Sequence, residues 1–257
     1  MTMSKPMIVF IPGAWLPETT YASFLQALEQ AGYPVRYVSY PSCDSASADC
    51  QQDATAIRDQ AIKQLIEGQG KDVVVIMHSY ASMPGASAAR GYSKTDCKRR
   101  GQAGGILALI CIGAFLVPEG LSCAGLQGGK LPDWILLDQP EKGLNFPDNA
   151  IEIFAADFQP VLAEQMAAQM KPHSNLAFMS KQPPSAWTES SFDGRCAYIV
   201  TGEDRAVPKA AQYQMIEGTG KEWLVKEIPS SSHMAPFLTL TGICIQLVNE
   251  ILGQCVI

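Results

Sequence analysis

Residues able to run acyl-transfer chemistry stand in this chain in a suggestive order: a serine at Ser79, acids at Glu203 and Asp204, and a histidine at His233. A serine hydroxyl becomes a nucleophile when a base takes its proton, and the base works best when an acid fixes its tautomer. Histidine is the scarcest type, present only as His78, His173 and His233. His78 adjoins Ser79, where neighbouring side chains diverge, and reads as a packing or hydrogen-bonding residue. His173 follows Pro172 in a stretch rich in Pro and Gly. His233 closes the run Pro229-Ser230-Ser231-Ser232-His233, and is either general base or surface decoration.

Ser79 follows the apolar run Val73-Val74-Val75-Ile76-Met77 and precedes Met83-Pro84-Gly85-Ala86-Ser87-Ala88-Ala89. A serine between a buried strand and a small-residue helix fits a nucleophile elbow, whose helix N-terminus favours developing negative charge. It also fits a helix N-cap. Glu203 and Asp204 leave an apolar run together, so only one of them can face His233. An Asp204-Arg205 surface ion pair is the plainer alternative. Ile11-Pro12-Gly13-Ala14-Trp15 offers a glycine where backbone can approach a substrate oxygen. The amides of Ala14 or Trp15, with that of Tyr80, would then form an oxyanion hole, each donor worth about 3 kcal/mol in the transition state. The same segment also reads as a strand-ending turn.

These residues need elements to hold them. Apolar runs at 7–12, 35–40, 73–77, 106–115, 196–201 and 223–228 read as parallel strands buried on both faces. Helical patterns alternate with them at 20–31 (Phe24, Leu25, Leu28), 49–67 (Ala54, Ile57, Ala61, Leu65, Ile66) and 236–252 (Leu238, Leu240, Ile243, Leu247, Ile251). That alternation implies an α/β fold, a doubly wound, mainly parallel sheet of about six strands. Residues 117–192 break it, with many Pro and Gly, a helical piece near 164–170 and no clear core strand. Such a length should carry its own helices, so 117–192 reads as an inserted helical cap on a core formed by 1–116 and 193–257.

The 257 residues, 47% apolar and 17% charged, suit one large domain with a sizeable core. With a net charge of −6, the cluster Lys94, Lys98, Arg99 and Arg100 reads as a solvated helix end rather than a nucleic-acid face. No run reaches the roughly 18 apolar residues of a membrane span. The apolar start runs into a turn as a strand does, not a signal peptide, and Gln254-Cys255-Val256-Ile257 is no prenylation box. Among eight cysteines there is no Cys-x-x-Cys pair, so no metal and no cofactor is expected. Cys43 and Cys50 would close a short loop only in an oxidising compartment. Free thiols and a cytoplasmic location are the expectation. The expected partners are a small-molecule substrate and at most a second copy in a homodimer, with neither nucleic acid nor membrane.

The order serine, acid, histidine is that of α/β-hydrolases, and nearly the whole chain resembles them. Within them it resembles the group of plant methylesterases, hydroxynitrile lyases and their microbial relatives. Val75-Ile76-Met77-His78-Ser79-Tyr80 is similar to an elbow found among fungal members, and Lys171-Pro172-His173-Ser174 and Trp187 are similar to cap features. The resemblance implies the α/β-hydrolase fold and an acid loop at 202–208 with its acid at Asp204. The usual elbow is Gly-x-Ser-x-Gly, whereas here Met77 and Ala81 flank, and Pro12 stands where many relatives carry His. Lyases of the group carry a Lys after the catalytic His and a Thr in the first loop; here Met234 and Gly13 stand there, on the esterase side. The implied reaction is hydrolysis of an ester, lactone or thioester of a small apolar metabolite, in secondary metabolism, through Ser79, His233 and Asp204. Gly13, Trp134, Phe154, Phe158, Phe178, Trp187 and Met234 would shape the pocket, although any one of these aromatics can be plain packing. A lyase, cyclase or retro-aldol enzyme on the same triad, or a small-ligand receptor, are the alternatives.

Overall fold

The computed structural model describes residues 5–43 and 45–255. Val256 and Ile257, which end the stretch read for a lipid anchor, lie outside the described residues. From the N-terminus, β1 (Met7–Ile11), α1 (Ala22–Gln30), β2 (Val35–Tyr37), α2 (Cys50–Ile57) and β3 (Asp72–His78) follow one another. Next come α3 (Ser82–Ala88), α4 (Lys94–Arg99) and β4 (Gly105–Ile112). Then follow α5 (Cys123–Leu126), β5 (Ile135–Leu137), β6 (Leu144–Pro147), α6 (Ala150–Phe154), α7 (Pro160–Gln169), β7 (His173–Ser174) and α8 (Asn175–Met179). The chain closes with β8 (Cys196–Thr201), α9 (Lys209–Gly218), β9 (Leu224–Ile228), α10 (Ala235–Leu238) and α11 (Thr241–Cys255).

Six strands form one parallel sheet in the order β2-β1-β3-β4-β8-β9. Aliphatic runs make this possible, because β3 and β4 are covered on both faces and bury nearly every side chain. β1 is followed outward by β2 on one side, while β3 and later strands build the other side. The order therefore reverses between β1 and β3, and such a switch point opens a crevice at the strands' carboxyl ends. The segments after β1, β3, β8 and β9 carry Gly13, Ser79, Asp204 and His233 to this one edge.

Several elements depart from the sequence reading. The connection from β4 to its sheet neighbour β8 spans residues 113–195. It is not purely helical: β5, β6 and β7 make a small antiparallel sheet. β6 escapes pattern reading because it buries Asn145, with Leu144 and Phe146 only half-buried. The 49–67 helix starts with a capping box between Asp49 and Gln52, then widens into π-helical turns at Arg58–Ile62 and Gln64–Gly68. The closing helix is broken, because the Leu240 amide turns back to the Ala235 carbonyl at 2.7 Å before α11 begins. β4 stops at Ile112, since Gly113 takes a φ of 50°. Cys43 and Cys50 are both free thiols. No helix among the described residues is long and apolar enough to cross a membrane.

Candidate active site

β3 delivers Ser79 at a sharp bend. Its φ is 56°, a left-handed value that a serine adopts only when the surroundings impose it. The Phe115 amide donates to the Ser79 carbonyl at 3.2 Å, and the single proton of the Ser82 hydroxyl is shared between that carbonyl, at 3.0 Å, and the Phe115 carbonyl, so the bend is fastened to the segment after β4. The helix that follows packs tightly on the sheet. A Cβ added at Gly85 would lie 2.8 Å from both Met77 Sδ and Ile11 Cδ1. Met77, bulky where an elbow usually has glycine, is accommodated because α3 is thin at Gly85.

Asp204 is buried and its carboxylate is fully engaged. Oδ1 accepts the amides of Ala206 and Val207 at 2.8 Å each. Oδ2 accepts the Thr201 hydroxyl at 2.7 Å and faces His233 Nδ1 at 2.7 Å. Glu203 is exposed, and Arg205 pairs with Glu152 of α6. The two alternatives weighed for this loop therefore place their side chains away from His233. With Nδ1 turned to a carboxylate, a neutral imidazole carries its proton there and keeps Nε2 free to accept another. The His233 ring lies 4.4 Å from that of His78, next to Ser79 in the chain, and 5.4 Å from that of Phe154.

The loop after β1 lies against the bend. A Cβ at Gly13 would stand 2.8 Å from His78 Nδ1 and 3.2 Å from Ser79 Cβ. The glycine is thus required by this contact, and the sequence reading, which assigned it to substrate approach, missed that neighbour. The Gly13 amide is taken by the Tyr21 hydroxyl at 3.0 Å, which itself lies 2.7 Å from His78 Nδ1. Among the described residues no acceptor takes the amides of Ala14 and Trp15. Trp15 has a φ of 65°, and Tyr80 stands in the first turn after β3, where amides lack intrahelical acceptors.

Ser79 lines a small chamber of about 20 Å³. Of the residues expected to shape a pocket, Trp134, Phe154 and Phe178 line it, together with Trp15. Gly13, Phe158, Trp187 and Met234 do not. Gly13 faces His78, Phe158 packs half-buried against the core, and Trp187 lines a separate groove. Met234 is fully buried, its amide donating to the Phe154 carbonyl at 2.9 Å. The reading missed Phe115, Cys123, Gln127, Ile135 and Ala206, which also line the chamber. Burial pushes the Cys123 thiol up to about 12.

Behind the bend lies a buried polar network that pattern reading also missed. Asp53 of α2 accepts the Ser42 amide at 2.9 Å, the Ser42 hydroxyl at 2.6 Å and the Tyr80 hydroxyl at 2.7 Å. His173 Nε2 lies 3.0 Å from the Ser42 hydroxyl. Burial raises the Asp53 carboxyl above its usual range, against the pull of these hydrogen bonds. Burial also holds His173 down at about 3 and His78 well below the ordinary histidine value.

These two histidines fix the sign of an acid response. Free in the unfolded chain, each takes a proton near pH 6.5. Below that pH the unfolded state binds more protons than the folded one, so stability falls as pH falls, down to the folded value of about 3 for His173. Each contributes about 1.4 kcal/mol per pH unit in this window. Asp53 acts oppositely, its penalty growing as pH rises above 3.8. Urea denaturation should lose stability between pH 6.5 and 5, and His173→Gln should flatten that loss by about one bound proton. An unchanged slope in the variant would contradict the neutral, buried state of His173.

A sequence model described as the Alpha/beta hydrolase family matches residues 8–240. The Alpha/beta hydrolase nvfD of Aspergillus novofumigatus is 25% identical over 259 residues, covering 99% of each chain. An extracellular alpha/beta-hydrolase from a Paenibacillus species superposes with a TM-score of 0.76 at 15% identity, covering 96% of this chain and 99% of that one. The Arabidopsis methylesterase MES16 superposes with a TM-score of 0.71 at 17% identity, covering 96% and 99%.

Proposed function

Because the chain belongs to the alpha/beta hydrolase family, and is a hydrolase on that ground, we propose that it cleaves an ester, lactone or thioester of a small apolar metabolite by a serine mechanism. The observation that carries this reading is the buried Asp204–His233 pair, held at 2.7 Å on the sheet edge where Ser79 bends. Ser79 attacks the substrate carbonyl while His233 Nε2 takes the hydroxyl proton. Asp204 keeps His233 in the right tautomer and stabilises the imidazolium. The amides of Ala14 or Trp15, and of Tyr80, hold the oxyanion. The carbonyl re-forms, the leaving group departs with the proton from His233, and water releases the acyl-enzyme by the same route.

The insertion acts as a cap. Trp134, Phe154 and Phe178 are its aromatic contribution to an apolar chamber that keeps bulk water from the acyl-enzyme. No Lys or Arg among the described residues lines that chamber, and Met234 beside the general base is apolar and buried, which favours hydrolysis over release of an anion such as cyanide.

The test is labelling with a fluorophosphonate probe, read by peptide mass spectrometry, beside turnover of p-nitrophenyl butyrate. A single phosphonyl adduct on Ser79 and a rapid release of p-nitrophenol are expected. Absence of both adduct and turnover would overturn the assignment.

A further inference from the structure

The chamber at Ser79, about 20 Å³, holds little more than one water-sized group. A scissile carbonyl fits there, but the rest of a metabolite does not. Directly beside it runs a groove of about 220 Å³, roughly ten times larger by the same measure. The two spaces share Phe115, Gln127 and Ala206 as walls, so the groove adjoins the chamber and one layer of side chains divides them. Of these three only Gln127 has a long unbranched side chain. Its Nε2 donates to the Cys123 carbonyl at 3.2 Å, a partly exposed contact that one rotamer change releases.

The composition of the groove defines what it can hold. Trp187 and Leu126 of the insertion face Leu116, Ala211 and Met215 of the core. No charged side chain lines it; its polar side chains are Gln127, Gln214 and Thr219. An apolar wall with a few amide and hydroxyl groups takes neutral, largely hydrocarbon ligands and penalises charged ones, which would lose hydration without gaining a partner. Trp187 adds a flat face for a ring or a chain.

We propose that this groove is the distal half of the substrate site, holding an uncharged apolar body whose scissile carbonyl sits at Ser79. This rests on the hydrolase reading above. The substrate is thereby an ester, lactone or thioester carrying a hydrocarbon portion on the order of ten heavy atoms, with no ionised group on it. Gln127 is the partition that swings aside to join the two spaces.

N-phenyl-1-naphthylamine, neutral and fluorescent in apolar surroundings, tests the groove without any turnover. It should bind the wild-type protein, and Ala211→Trp, which fills the groove from α9, should weaken binding at least tenfold. Gln214→Trp, at an exposed position that tolerates bulk, should do the same and guards against misfolding of the first variant. In parallel, the ratio of kcat/KM for p-nitrophenyl octanoate over acetate should fall at least tenfold in both variants. Failure of the dye to bind wild type, or equal binding by both folded variants, would overturn the proposal even if esters are cleaved. Dye binding that the variants abolish, with no ester cleaved by the wild type, would retain the groove as an apolar-ligand site and end the hydrolase reading instead.

Discussion

Ser79→Ala should reduce kcat for p-nitrophenyl butyrate by on the order of 10⁵–10⁶-fold and abolish the initial release of p-nitrophenol. Without the hydroxyl no acyl-enzyme forms, and what remains is binding plus the oxyanion amides, which alone give only a small fraction of a serine enzyme's rate. The fold should hardly notice. The two bonds that fasten the bend, from the Phe115 amide and the Ser82 hydroxyl, go to the Ser79 carbonyl, which alanine keeps. Alanine also occupies the left-handed region at a cost close to that of serine, so stability should stay within about 0.5 kcal/mol. Stopped-flow kinetics and urea denaturation of one preparation check both halves. Residual turnover above a hundredth of wild type would remove Ser79 from the mechanism.

Asp204→Asn should cost about 10⁴-fold in kcat, the size expected when the acid of a triad can no longer set the imidazole tautomer. The structure dictates why the loss is so large. Oδ1 accepts two backbone amides, from Ala206 and Val207, so the amide oxygen of asparagine must stay at that position. Its NH₂ group then falls where Oδ2 was, pointing at His233 Nδ1. Nδ1 is forced to accept, the ring proton moves to Nε2, and the atom that should take the serine proton already carries one. Glu203→Gln is the matched control. Glu203 is exposed and joins the neighbouring loop only through its backbone amide, donated to the Ser231 carbonyl at 2.9 Å. It should remain within twofold of wild type. Equal losses in the two variants would mean that the acid has been misassigned.

The candidate edge was legible in the sequence because each of its parts follows a run that reads as a strand. Burial on both faces makes β3, β4 and β8 conspicuous, and whatever follows a strand of one parallel sheet must emerge at the same edge. Ser79 and His233 could be named on that ground, and Asp204 over Glu203 only through a resemblance. The walls of the chamber were not legible, because Phe115, the Cys123–Gln127 turn and Ala206 come from three segments far apart in the chain. Asp53 was hidden for another reason. It sits on the same helix as Ala54 and Ile57, where an acid reads as solvated, yet it is fully buried among Ser42 and Tyr80 hydroxyls. β6 was hidden by its inverted pattern, since Asn145 turns inward to accept the Trp15 indole N–H at 2.9 Å.

The contact between Met77 and Gly85 has a consequence for how such an elbow drifts in evolution. The volume that most elbows save before the serine is here saved eight positions later in the chain, on the helix that packs against it. The two sites share one allowance of space, so a change at either is conditional on the other. Thinning the helix first costs roughly 1 kcal/mol of helix propensity and leaves a working intermediate, whereas enlarging the pre-serine residue first drives a thioether into α3. The mutational path is therefore ordered. A linear motif that demands glycine at fixed positions will pass over chains like this one, and a descriptor of the pair's joint volume will recover them.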